Sequence, residues 1–98
     1  MNKVSFHPQA AVELNEAALY LEEQSPGLGS DFLDTAESSV KLITIFPFAW
    51  TEVRSNIRRM IMPRFLYCIF YRLQPDGTIE ILAVMHPHRD PFTFMNRV

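Results

Sequence analysis

The 98-residue chain carries nine basic and eleven acidic side chains, for a formal charge of −2, with 48% hydrophobic residues and one cysteine. That composition predicts a single folded domain over residues 1–98, excludes a disordered tail and leaves no room for a second core. No run nears the roughly 18 apolar residues of a membrane helix, and MNKVSFHPQ has no apolar signal core. A cytoplasmic protein with no membrane partner is the expectation.

Cys68 stands alone inside FLYCIFYRL. An internal disulfide and a cysteine cluster for zinc or iron are therefore excluded, a reducing compartment fits, and no cofactor is expected. The charge is unevenly spread. Residues 1–52 hold two lysines against eight acids, net −6, whereas residues 53–98 hold seven arginines and no lysine against three acids, net +4. An acidic face and an arginine-rich face suited to an acidic protein segment or a polyanion follow from that asymmetry, unless the charges merely trace solvated surfaces.

In chain order, Lys3 to Phe6 reads as a short strand, and Pro8 opens a helix, since proline is tolerated in the first turn. In QAAVELNEAALYLEEQ, Ala11, Leu14, Ala18 and Leu21 form a small-residue apolar face, with Glu13, Glu16 and Glu23 on the other side. Ser25-Pro26-Gly27-Leu28-Gly29 breaks this helix. Ser30-Asp31 caps or begins a second one, whose stripe is Phe32, Leu33, Ala36, Val40 and Ile43 and which Pro47 stops. The short link favours an antiparallel helical hairpin.

A loop around Pro47 to Thr51 follows, and then period two takes over. Asn56 to Met62 is a strand, Pro63-Arg64 a turn and Phe65 to Leu73 a β-rich run with Phe65, Tyr67, Ile69, Tyr71 and Leu73 on one face. Gln74-Pro75-Asp76-Gly77 is a hairpin turn leading to the last strand, Thr78 to His86. The predicted fold is α+β, in the order βααβββ, with the helical hairpin packed on a small antiparallel sheet. The other sheet face is only partly polar. A partly open apolar groove, and with it a protein partner, is expected there. Met60, Met62, Met85 and Met95 either make that groove adaptable or fill a thin core.

In EILAVMHPHRDP, Ile81, Ala83 and Met85 alternate with Leu82, Val84 and His86. His86 and His88 could share a strand face, but Pro87 interrupts the pairing and a third ligand is missing, so no metal site is predicted. Arg89 and Asp90 read as turn-fixing residues ahead of Pro91.

Taken in order, His7-Pro8-x-Ala10, Glu13, Ala17 and Tyr20, then Pro26-Gly27-Leu28-Gly29 with Phe32, Arg58-Arg59, Arg64-Phe65-x-Tyr67-x-Ile69-x-Tyr71-Arg72, Ile81-Leu82-Ala83-Val84 and His86-x-x-Arg89-Asp90-Pro91 resemble the RelE/ParE superfamily of bacterial toxins. The similarity is to its ParE-like plasmid-stabilisation branch and spans nearly the whole chain. It implies a toxin of a type II toxin–antitoxin system, neutralised by a cognate antitoxin whose flexible part folds over it and through which alone it would meet operator DNA. ParE-like members are similar in poisoning DNA gyrase by trapping its cleaved-DNA state. RelE-like members instead cut mRNA on the ribosome, and a degenerate member would only bind antitoxin.

Cleavage through a 2′-hydroxyl needs a base, an acid and cations for the phosphorane charge. Beyond Lys41 there is no lysine, beyond Tyr71 no tyrosine, and the tail FTFMNRV supplies neither acid nor base. The sequence therefore favours a binding toxin. Under the ribonuclease alternative, His86 with Arg59 and Arg64 would carry the chemistry. Target or antitoxin contacts are expected from Arg58, Arg59, Arg64, Arg72, His86, His88 and Arg89, because arginine pairs with carboxylates and stacks on rings.

Overall fold

The structure is a computed structural model that describes residues 2–86 and 94–98. Its elements are β1 (Val4–Phe6), α1 (Pro8–Gln24), α2 (Leu28–Ile45), β2 (Thr51–Arg54), β3 (Ile57–Ile61), β4 (Cys68–Leu73), β5 (Ile79–Met85) and a 3₁₀ turn (Met95–Arg97). The α+β arrangement of a helical hairpin on a sheet is as the sequence predicts. The sheet, in the order β1-β5-β4-β3-β2, has five strands and is mixed: β1 runs parallel to β5, and the other pairings are antiparallel. The additional strand is β2. Its four residues, TEVR, are mostly exposed and form an edge strand, which has no buried face to announce it in the sequence.

Proline at the start of α1 leaves no amide to satisfy there, and the His7 Nδ1 accepts from the Gln9 N–H at 3.1 Å. α1 buries Ala10, Ala17 and Ala18, with Leu14 and Leu21 packed beside them. These small side chains let α2 lie close. The approach is tightest at Gly29, where a Cβ would stand 2.5 Å from the Ala18 carbonyl oxygen and 3.1 Å from Glu22. Ser30-Asp31 lie in the first turn of α2, and its N-terminus is capped from α1. Glu22 accepts from the Gly27 N–H at 2.9 Å and from the Gly29 N–H at 3.0 Å, a carboxylate at the positive end of the helix. Gly27 itself sits at φ 88°, in the left-handed region.

Two apolar layers sandwich the sheet. Toward the helices lie Phe32, Ala36, Ile43, Met60, Met62, Ile69, Tyr71, Ile79, Ile81 and Val84, among others. On the far side Ile57, Cys68, Phe70, Leu82, Ala83 and Met85 are covered by Phe94, which is 0% exposed and lies 4.9 Å from the Phe70 ring. Phe94 thus covers the centre of the face where an open groove was expected, although Ile61 on that face stays 52% exposed, and Met60, Met62 and Met85 fill the core. β4 begins at Cys68 rather than Phe65. Arg64 and Leu66 both take positive φ, at 72° and 63°, and this bend interrupts the ladder before it. Phe65 and Tyr67 still turn to the helix side, where Phe32 meets both rings edge-on at 5.3 and 5.2 Å.

Gly29→Ala should lower stability by roughly 1–3 kcal/mol, because the added methyl meets backbone rather than a movable side chain. Urea denaturation checks this, and an unchanged midpoint would contradict the close helix contact.

Tyr71 is fully buried and its hydroxyl donates to the Pro47 carbonyl at 2.7 Å. Burial pushes its pKa above the ordinary value near 10, against the opposing charge of Arg58. The unfolded phenol ionises first, so the stability tied to the neutral phenol is full below about pH 10 and is lost as pH rises through the raised value. Thermal melts from about pH 8 to 11 should show an alkaline loss that Tyr71→Phe reduces.

Candidate functional site

β1 pairs with β5 only from Ile79 to Ile81, and the His7 N–H makes the last backbone bond, to the Ile81 carbonyl at 2.9 Å. Beyond it the β5 edge has no strand neighbour among the described residues. A bulge sits at that point: Phe70 pairs with Ala83 but Tyr71 with Ile81, leaving Leu82 as an extra residue. Ile81 and Val84 therefore both face the helices, while Leu82 and Ala83 both face the tail. The simple alternation expected for this strand is broken, and His86, two residues beyond Val84, turns to the helix side against Tyr67 at 5.6 Å.

Side chains close the open edge. The Glu13 Oε1 accepts from the Val84 N–H at 3.0 Å. The Arg97 Nη1 donates to the Leu82 carbonyl at 2.9 Å, and its two terminal nitrogens reach the two Glu13 oxygens at 2.9 and 2.8 Å. With side chains only 15% and 14% exposed, this is a bidentate, nearly buried ion pair in which each member also holds strand backbone. Glu13 does not lie on the solvated side of α1, as its place in the sequence suggested. The buried arc of α1 spans both α2 and β5, and Glu13 stands at its rim over the unpaired strand edge. Arg97 belongs to the tail that offered no acid or base, and neither its type nor its spacing marked it.

Beside this closure is a cleft of about 200 Å³ lined by Glu13, Glu16, Ala17, Tyr20, Tyr67, Val84, Met85 and His86. Burial, and secondarily the neighbouring Tyr20, push the Tyr67 pKa upward. A larger apolar groove of about 430 Å³ opens between the helices and β1, where Phe6, Leu33, Val40 and Ile81 are among its walls and Glu37 and Lys41 its charged residues. Among the described residues, no arginine lines it.

The predicted arginines are dispersed. Arg58, on the helix side with Tyr71, donates to the Trp50 carbonyl at 2.7 Å, meets Glu52 at 3.5 Å and lies over the Phe48 ring, so it fastens the loop before β2. Arg59 pairs across the strands with Phe70 and so belongs to the opposite, tail-side face. Arg64 reaches Asp31 on α2 at 3.3 Å over the Phe65 ring and is well exposed. Arg72 pairs with Glu80 at 2.9 Å in a half-buried cross-strand bridge. His86 and Arg59, two of the three residues proposed for RNA cleavage, thus occupy opposite faces of the sheet, and the fold does not gather His86, Arg59 and Arg64 at one point. His88 and Arg89, with Asp90 and Pro91, lie outside the described residues. Among the described residues, no group of three histidine, cysteine or acidic side chains could hold a metal ion, and no helix is long and apolar enough to cross a membrane.

The fold is similar to that of a chain in a solved structure of the chromosomal ParDE toxin–antitoxin system from P. aeruginosa, with a TM-score of 0.63 at 13% identity, over 88% of this chain and 96% of that one. No curated protein matches the sequence. Residues 4–91 match the family model described as the ParE toxin of the type II toxin–antitoxin system parDE. The chain belongs to this ParE toxin family.

Removing one member of a buried ion pair leaves the other charged and unpaired, at a cost of roughly 3–5 kcal/mol. Arg97→Met should destabilise the domain by about 3 kcal/mol, toward the lower end of that range given the residual exposure. The double variant Arg97→Met/Glu13→Gln should recover part of the loss. Chemical denaturation of the three proteins checks this, and an Arg97→Met protein as stable as the parent would contradict the closure.

Proposed function

We propose that this ParE toxin acts by binding, holding DNA gyrase in its cleaved-DNA state within the cytoplasm, and that a cognate antitoxin neutralises it. The separation of His86 from Arg59 across the sheet carries this reading. A 2′-hydroxyl cleavage site needs its base, acid and phosphate-stabilising cations within hydrogen-bond reach of one phosphodiester. Side chains on opposite faces do not meet that condition, whereas a protein-binding toxin has no need of it.

The apolar groove beside β1 supports the antitoxin part of the reading. Its walls suit the apolar side chains of an amphipathic segment that orders on binding, and the Glu37 and Lys41 charges suit the polar flanks of such a segment. Among the described contact arginines, Arg64, exposed and paired across the surface to Asp31, has most freedom to exchange its partner. Arg58 and Arg72 already serve the loop and the sheet.

Purified toxin incubated with gyrase, ATP and supercoiled plasmid should yield toxin-dependent linear DNA after protein denaturation, and prior addition of antitoxin should suppress it. Folded toxin that neither produces linear DNA nor slows supercoiling, but cleaves mRNA on ribosomes, would overturn the proposal in favour of the ribonuclease alternative.

A further inference from the structure

The cleft at the end of β5 has walls that the closure of the strand edge does not use. Glu13 is occupied by Arg97 and the Val84 amide, but Glu16 makes no ion pair among the described residues, and Tyr20 is 56% exposed. Three rings, Tyr20, Tyr67 and His86, stand around the opening, with Tyr67 and His86 perpendicular at 90°. Among the described residues, its acidic lining is Glu13 and Glu16, and neither lysine nor arginine lines it. Six of its residues, Glu13, Ala17, Tyr20, Tyr67, Val84 and His86, are ones on which the family resemblance rests, although they come from three separate segments of the chain.

We infer that this cleft receives an arginine side chain of a protein partner, with the guanidinium between the tyrosine faces and the Glu16 carboxylate. The inference deepens the reading of the chain as a protein-binding toxin and rests on it. About 200 Å³ accommodates one long side chain and not a folded segment. A planar cation is attracted by aromatic faces and can at once pair with a carboxylate, a combination that suits arginine better than the compact ammonium of lysine. The adjoining wall displays the same chemistry internally, since Arg97 is held there by Glu13. An anion would meet the Glu16 carboxylate, and a purely apolar group would leave the phenols and Glu16 without polar partners.

The test is a titration of isotopically labelled protein at about pH 7.5 with N-acetyl-arginine amide and, in parallel, with N-acetyl-citrulline amide, which keeps the shape and loses the charge. The ring resonances of Tyr20, Tyr67 and His86 report binding. Saturable shifts on these rings, with the arginine probe about fivefold tighter than the citrulline probe, are expected from the cation–ring attraction. Glu16→Gln, a change at an exposed helix position, should bring the ratio close to one while the Phe70 and Phe94 resonances stay unmoved. No saturable shift on these rings, equal binding of the two probes, or a preference that survives Glu16→Gln would overturn the inference. Gyrase is absent from this titration, so its failure and the failure of the gyrase reading are separate results.

Discussion

β5 outruns its neighbour β1, and an unpaired strand edge inside a folded domain must find hydrogen-bond partners. Glu13 and Arg97 supply them from opposite layers, one from the helical face and one from the tail. Because the two are also paired with each other, the same few atoms tie α1, β5 and the C-terminal turn together. An unsatisfied buried amide costs about 1–3 kcal/mol, and a lone buried charge more, so no part of this arrangement is dispensable. The bulge at Leu82 belongs to the same constraint. It turns the Leu82 carbonyl and the Val84 amide to the open edge and sends His86 to the helix side.

That closure divides the surface. Phe94 covers the tail-side face over Phe70, while on the helix side an apolar groove lies near β1 and an aromatic cleft at the end of β5. The arginine-rich half of the chain is less available than its charge suggests. Arg58, Arg72 and Arg97 are committed to a loop, a neighbouring strand and the closure, whereas the pair of Arg64 with Asp31 lies exposed on the surface. The two concavities of the helix side are accordingly lined mainly by rings, aliphatic side chains and α1 carboxylates.

Much of the fold was legible because it depends on local periodicity. The hairpin follows from two amphipathic stripes joined through Pro26-Gly27, and the inward parity of Phe65, Tyr67, Ile69 and Tyr71 follows from strand alternation, even where the ladder itself is interrupted before Cys68. What escaped depends on contacts far apart in sequence. Glu13 looks like any solvated helix carboxylate until the strand edge 71 residues away is placed beside it. Leu82 and Ala83 are both apolar, so the bulge leaves no trace in the hydrophobic pattern. β2 is short, charged and exposed, and the covering role of Phe94 needs the far sheet face to be known first. For the site, His86 and Tyr67 were visible as residues, but their meeting with Tyr20 and Glu16 needed the register after the bulge.

Amide hydrogen exchange at Val84 tests the central claim most directly. With Glu13 and Arg97 closing the edge, the Val84 N–H should exchange as slowly as the Ile69 and Tyr71 amides of the central strand β4, through global unfolding alone. Exchange orders of magnitude faster than at those positions, in a protein whose β4 amides remain protected, would show that the edge is open and that the tail and α1 are not joined through it.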